Sequence, residues 1–146
     1  MLINDVLKAK SGDVRQILDT STLSAAAGLM SSSRIGALVV EDNAGKIRGL
    51  ISEREITAAV ARWGGEAHLR RVSDIMIRDP LVAHPTDTLH AVTAEMTHQR
   101  ARHVPVMNGD DLVGILSIGD VLKSRLDEKI HENLVLQDIA RWRPAA

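Results

Sequence analysis

The chain contains no cysteine, which rules out a disulfide framework, a thiolate zinc site and thiol chemistry. Phenylalanine and tyrosine are also absent and there are only two tryptophans, so the aromatic platforms that stack single-stranded nucleic acid are missing. A formal net charge of −1 gives no global attraction to nucleic acid or to an anionic membrane. No apolar run approaches the roughly 20 residues that a membrane helix needs. The opening M-L-I-N-D-V-L-K lacks the charged-then-apolar layout of a signal peptide. The expectation is a cytoplasmic protein with neither a nucleic-acid nor a membrane partner. What is present is ordinary: 146 residues, 45% hydrophobic and 25% charged, enough for a real core in one domain or two very small ones.

Taken in order, residues 1–12 mix Ile3, Val6 and Leu7 with charges and stop at Ser11-Gly12, which predicts a short amphipathic helix and a break. Val14 to Leu18 reads as a short strand. From Thr22 the pattern becomes helical, with Leu23, Ala26, Ala27 and Met30 on one face and Ser31-Ser32-Ser33 at the end. Ile35 to Val40 is a β-branched-rich strand, Asp42-Asn43-Ala44-Gly45 a hairpin turn, and Ile47 to Ile51 a second strand. Ser52 then opens a helix that runs to about Trp63 and stops at Gly64-Gly65. In the second half, Ile75 to Val82 is read as extended, interrupted by Asp79-Pro80. A helix follows from Thr88, with Leu89, Val92 and Met96 on its apolar face. Arg102 to Val121 supplies a strand, a turn at Asn108-Gly109-Asp110-Asp111, a second strand and the entry to a helix at Ser117. Asp120 in that first turn favours the positive end of the helix, whose free N–H groups suit an anionic or hydroxyl-rich ligand.

The two halves are copies. At an offset of 66 (86 − 20), Thr20, Thr22, Leu23, Ala25, Met30, Arg34 and Val40 meet Thr86, Thr88, Leu89, Ala91, Met96, Arg100 and Val106. Past the hairpin the offset is 65 (114 − 49), because the second turn is one residue shorter, and Gly49 and Ser52 meet Gly114 and Ser117. Indels of this kind fall in turns, where they are tolerated. A β-α-β-β-α unit this small cannot bury its own sheet face and edges. Two of them are expected to pack sheet to sheet about a pseudo-twofold axis in an α/β (α+β) fold, leaving two clefts related by that axis.

The segments R-I-G-A-L-V-V with G-L-I-S-E-R-E-I, and R-H-V-P-V with G-I-L-S-I-G-D-V, resemble the tandem cystathionine-β-synthase (CBS) domains that pair into a Bateman module. The resemblance covers about residues 12–126. The signature G-h-h-[S/T]-x-x-D (h apolar) is complete at Gly114–Asp120, whereas Glu55 replaces the acid at Gly49–Glu55. The expected division is an N-terminal helix and linker over 1–12, repeats over 13–66 and 67–126, and a helical tail over 127–146.

This resemblance implies a regulatory module without catalysis that binds AMP, ADP or ATP and passes its state to an effector protein the sequence does not name. A nicotinamide dinucleotide (NAD or NADH) and S-adenosylmethionine are alternative ligands, and a ligand-free scaffold is the competing class. It also implies a homodimer in which two modules stack into a disc. Carried over by position, Asp120 would accept hydrogen bonds from ribose hydroxyls, with Ser117 and Gly119 beside the ribose and phosphate. Arg102 and His103 would reach the phosphates. Thr22, Ala27, Ile35, Gly36 and Ala37 would surround the adenine. In the symmetric cleft, Ser52, Arg54 and Glu55 would take ribose and phosphate, and the base would meet Thr88, Ala101 and Arg102. That cleft departs from the family pattern at Glu55 and in having Gly36-Ala37 opposite Arg102-His103, so the Asp120 site ranks first.

Simpler roles stand beside these. Asp120 and Glu55 also suit plain helix N-terminal acids, worth about 0.3–1 kcal/mol each. His84, His90, His98 and His103 contain no i, i+4 pair, no cysteine assists them and no carboxylates are interleaved at ligand spacing, so no metal site is expected. Ser52 and Ser117 lack the base and orienting group that a nucleophile requires. Leu23, Met30, Leu89 and Met96 are core, and Arg70-Arg71 lie on a solvated connector. From Leu122 to Arg143, Leu126, Ile130, Leu134, Val135, Ile139 and Trp142 recur at helical spacing and form a stripe that needs cover, from its own module or from a second copy. Pro144-Ala145-Ala146 should fray.

Overall fold

The computed structural model describes residues 1–10 and 14–142; the expected break at Ser11-Gly12 and the expected fraying of Pro144-Ala145-Ala146 lie outside the described residues. The elements are α1 (Ile3–Ala9), β1 (Gln16–Leu18), α2 (Leu23–Ser33), β2 (Ala37–Glu41), β3 (Ile47–Ser52) and α3 (Glu53–Trp63), then α4 (Leu89–Gln99), β4 (His103–Asn108), β5 (Asp111–Ser117) and α5 (Ile118–Arg141). Two 3₁₀ turns, Gly64–Leu69 and Val72–Asp74, link the halves.

Side-chain alternation along the strands builds the layers. On β2, Leu38 and Val40 face the helices of the first half, while Ala37 and Val39 face the other sheet. Leu50 of β3 joins Ala37 and Val39, and Ile47, Leu112 and Ile115 pack against them. These residues form the sheet-to-sheet contact expected from the repeat. Behind each sheet is a separate helical core, centred on Leu23, Met30 and Ile51 in the first half and on Leu89, Met96 and Leu116 in the second. Each fully buried side chain of this size contributes about 1.5–3 kcal/mol. β1, β2 and β3 form one sheet, with β1 parallel to β2, and β4 and β5 form the other.

The duplication extends to backbone detail. Thr22 Oγ1 accepts from Ala25 N–H at 3.1 Å and Thr88 Oγ1 from Ala91 N–H at 3.1 Å, so both threonines are helix caps. Both hairpins bulge at the same place, after Val40 and after Val106. Arg34 and Arg100, which end α2 and α4, are the two non-glycine residues of positive φ among the described residues, at 54° and 55°.

One sequence expectation is corrected. Ile75 to Val82 is not a strand: the stretch makes one isolated bridge, Leu50 with Ile77, and a second forms beyond it at Ala83 with Val106. Asp79-Pro80 lies between the bridges, and proline has no N–H to give a ladder. The short amphipathic helix expected near the N-terminus forms as α1, and its apolar face is part of a core. Ile3 and Val6 are buried with Leu89, Val92 and Met96 of the second half, and Leu89 N–H donates to Met1 O at 2.9 Å. The connector does the same for the first half, with Val72 and Met76 in its core and Leu23 N–H donating to Arg70 O at 2.8 Å. The carboxylates of Asp5 and Asp74 accept from Leu2 N–H at 3.0 Å and Arg71 N–H at 3.1 Å. I-N-D-V-L at 3–7 therefore corresponds to V-S-D-I-M at 72–76, at an offset of 69 (72 − 3). The segment that precedes each half seals the core of the other half.

Arg70 stacks over the Trp63 ring at 4.7 Å, which holds the connector against α3. α5 is 24 residues long and buries only Val121. Beyond it the apolar stripe is open, with Leu122 63%, Ile130 51% and Trp142 72% exposed, so among the described residues the tail does not dock on its own module.

Candidate functional site

Two clefts flank the sheet contact, one at the start of each half's last helix. Ser117 caps α5: its Oγ accepts from Asp120 N–H at 3.1 Å, and Asp120 Oδ2 accepts from Ser117 N–H at 2.8 Å. Ser52 and Glu55 reproduce this at α3, with Glu55 Oε2 accepting from Ser52 N–H at 2.8 Å and from the Ser52 hydroxyl. Both acids are therefore helix caps, and both also line a cleft.

The Asp120 cavity measures about 370 Å³. It brings together six of the ten residues assigned to it from sequence: Ser117, Asp120, His103, Ile35, Gly36 and Ala37. Thr22, Ala27, Gly119 and Arg102 are not among its lining residues. Thr22 is engaged in capping α2 and pairs with Arg71, and Ala27 is a mid-helix residue of α2. Arg102 lines the opposite cleft. The pseudo-twofold axis accounts for this: residues 34–36 face the second half's acid, so their counterparts 100–102 face the first half's acid. The backbone repeats the pattern, with Glu53 N–H donating to Gly36 O at 3.0 Å and Ile118 N–H to Arg102 O at 2.9 Å.

The sequence reading missed three cations on this cavity, Lys10, Arg15 and Arg34. Lys10 Nζ lies 2.9 Å from Asp120 Oδ2 and donates to Ile115 O at 2.8 Å. Only Arg34 leaves a trace in the sequence, as a duplicated arginine at a helix end, which marks the repeat but not the site. Lys10 is more than a hundred residues from Asp120 in the chain, and only the docking of α1 on the second half brings them together.

Burial pushes the Asp120 carboxyl up, but the Lys10 ammonium and the Ser117 N–H and hydroxyl outweigh it and hold the group below the usual carboxylate range. His103 is lowered, first by burial and then by the Lys10 charge, against a partial pull upward from Glu55, Glu53 and Asp120. Its ring borders both clefts. A Cβ on Gly36 would lie 3.2 Å from His103 Nε2, so a glycine there leaves room for the ring.

The Glu55 cleft is smaller, at about 220 Å³, and gathers Ser52, Arg54, Glu55, Ala101 and Arg102 as expected, together with Arg100 and Asp79. Thr88 is not on it; it caps α4 and bridges to Leu2. Among the described residues no group of three or more histidine, aspartate or glutamate side chains is placed to hold a metal ion. Among the described residues no helix is long and apolar enough to cross a membrane.

Comparison with known proteins fits this architecture. A 33.4 kDa protein in the ribosomal RNA operon of Thermofilum pendens is 33% identical over 110 residues, covering 75% of this chain and 33% of that protein. The mitochondrial CBS domain-containing protein CBSX3 of Arabidopsis thaliana is 33% identical over 141 residues, covering 89% of this chain and 67% of that one. The chain thus spans a third of the first relative and two thirds of the second. A crystal structure of a CBS-domain-containing protein from Agrobacterium tumefaciens superposes with a TM-score of 0.81 at 35% identity, covering 85% of this chain and 92% of that one. A CBS domain pair in complex with 5-methylthioadenosine and S-adenosyl-L-methionine gives 0.74 at 25% identity, covering 86% and 98%. The fold is shared also by CBSX2 in complex with AMP, at 0.72 and 20% identity, covering 88% and 98%. The family model for the CBS domain matches the chain twice, over residues 5–62 and 72–127, and the chain belongs to that family as a tandem CBS pair, a Bateman module.

Proposed function

We propose that the protein is a regulatory module that binds an adenine nucleotide in the Asp120 cavity and performs no catalysis itself. The observation that carries this reading is one cavity holding a helix-start acid, Asp120, together with Lys10, Arg15, Arg34 and His103. A carboxylate suits the ribose diol, and guanidinium and ammonium groups suit phosphate oxygens. The volume of about 370 Å³ lies in the range of small-molecule sites, roughly 300–1,000 Å³. The similar CBS pair holding two adenosyl compounds supports an adenine-bearing ligand. Ser117 Oγ is used as a helix cap and, among the described residues, makes no hydrogen bond to His103, so it is not an activated nucleophile.

Regulation would work by linkage: the nucleotide favours one packing of the two repeats, and an effector protein that contacts the module responds to the difference. The open stripe on α5 supports a homodimer contact through the tail.

The test is a thermal-shift panel with AMP, ADP, ATP, NAD, NADH, S-adenosylmethionine and GTP. A ligand at 100 times its Kd adds about 2.7 kcal/mol. A shift with adenine nucleotides and none with GTP is expected. A flat panel, with no nucleotide released from the denatured protein, would transfer the function to the exposed helix and a scaffolding role.

A further inference from the structure

Asp120 Oδ2 already holds two donors, the Ser117 N–H at 2.8 Å and the Lys10 ammonium at 2.9 Å. The ammonium is steadied at 2.8 Å by Ile115 O, an acceptor on β5 that forms part of the cavity wall. A ribose diol directed at Asp120 therefore meets a lysine that holds the same oxygen. The ion pair is partly exposed, with side-chain exposures of 35% and 19%, and pairs of this kind are weak enough to exchange. Displacing it leaves a cation without a counter-ion in a cavity that also carries Arg15 and Arg34. The lysine is not a repeat feature. In the other half the matching stretch, 69 residues on, brings Asp79-Pro80 to the Glu55 cleft instead, a second acid on a cleft that already has one.

We propose that Lys10 sets the charge class of the ligand in the Asp120 cavity: it competes with the ribose for Asp120 and, once released, pairs with a phosphate, so the cavity takes phosphorylated adenosyl compounds in preference to uncharged or cationic ones. This rests on the nucleotide reading above and names the ligand class within it. A nucleoside must break the Lys10–Asp120 pair and offers the ammonium nothing in return. A nucleotide breaks the same pair and replaces it. A sulfonium ligand adds a positive charge to a cavity lined by three fixed cations.

The experiment is calorimetric titration of the full chain and its Lys10→Gln and Lys10→Arg variants with AMP, adenosine and S-adenosylmethionine. Circular dichroism melts establish that all three proteins are folded. In Lys10→Gln, AMP affinity is expected to fall about tenfold and adenosine affinity to rise a few-fold, so the AMP-to-adenosine preference collapses. S-adenosylmethionine is expected to gain affinity in that variant. Lys10→Arg is expected to keep the preference. An unchanged AMP-to-adenosine ratio in Lys10→Gln, with AMP still bound, would overturn the role of Lys10 and leave the nucleotide reading standing. Equal loss of the preference in Lys10→Arg would overturn the charge argument. Absence of binding to all three proteins would overturn both the role and the reading.

Discussion

The two clefts come from one duplicated sequence and have the same parts: a serine cap, an acid three residues on, and an arginine in the left-handed region at the facing helix end. They differ in what a docked segment brings to the cleft. At Asp120 it is Lys10, delivered by α1; at Glu55 it is Asp79, delivered by the connector. The Asp120 cavity consequently has three fixed cations to one acid, whereas the Glu55 cleft sets Arg54, Arg100 and Arg102 against Glu55 and Asp79. Duplication conserved the frame, and the segments exchanged between halves made the clefts chemically unlike.

The largest effect expected from breaking this comparison is at the paired glycines. A Cβ on Gly49 would lie 2.2 Å from Ile77 O, and that backbone is fixed by Leu50 N–H to Ile77 O at 3.0 Å and Ile77 N–H to Leu50 O at 2.8 Å. On Gly114 it would lie 2.9 Å from Leu7 Cδ2, the free end of a side chain. Gly49→Ala should cost about 3 kcal/mol in denaturant unfolding and Gly114→Ala about 1 kcal/mol. Equal losses would mean that the two docked segments are equally free to move.

Next in size is the acid pair. Asp120→Ala should weaken AMP binding about 10- to 100-fold, the value of hydrogen bonds to a charged group, while Glu55→Ala leaves the tighter binding event in place. Calorimetry with both variants checks this, and the reverse order would move the principal site to the Glu55 cleft.

His103, on the wall between the clefts, predicts a smaller effect. Its folded pKa lies below the ordinary 6.5, so the unfolded chain binds the proton more readily. Its contribution to stability is complete above 6.5 and is lost as pH falls through that value toward the depressed one. The drop in Tm from about pH 7.5 to about pH 5.5 should be smaller in His103→Gln than in the parent protein. An equal drop in both would place the titration elsewhere.

The smallest change in protomer stability is expected from removing residues 126–146. The stripe on this part of α5 is open, so the module should lose less than about 1 kcal/mol. Light scattering should nevertheless show the mass halve if the tail joins two copies, and an unchanged mass would remove that role.

Much of this was legible in the chain. The offsets of 66 and 65 located both caps, both hairpins and both acids, because capping, turns and side-chain alternation are local and repeat whenever the residues repeat. The stretch Ile75 to Val82, read as extended with an interruption at Asp79-Pro80, joins no ladder and keeps only the isolated bridge of Ile77 to Leu50. The match of 3–7 with 72–76 was also present in the sequence, but only Asp5 and Asp74 are identical in it, and its meaning lies in contacts with the opposite half.

The sequence by itself determined the duplicated frame, the helix starts at Ser52 and Ser117, the acids they orient, and an amphipathic tail with nothing within its own pattern to cover it. Only the tertiary structure decided which residues share a cleft. Folding about the pseudo-twofold axis moved Arg102 to the Glu55 side and Arg34 to the Asp120 side, and docking of α1 placed Lys10 on Asp120. The physical reason is range. Caps and turns are fixed by neighbours a few residues away, but the charge of a cleft is the sum of groups that only packing brings together.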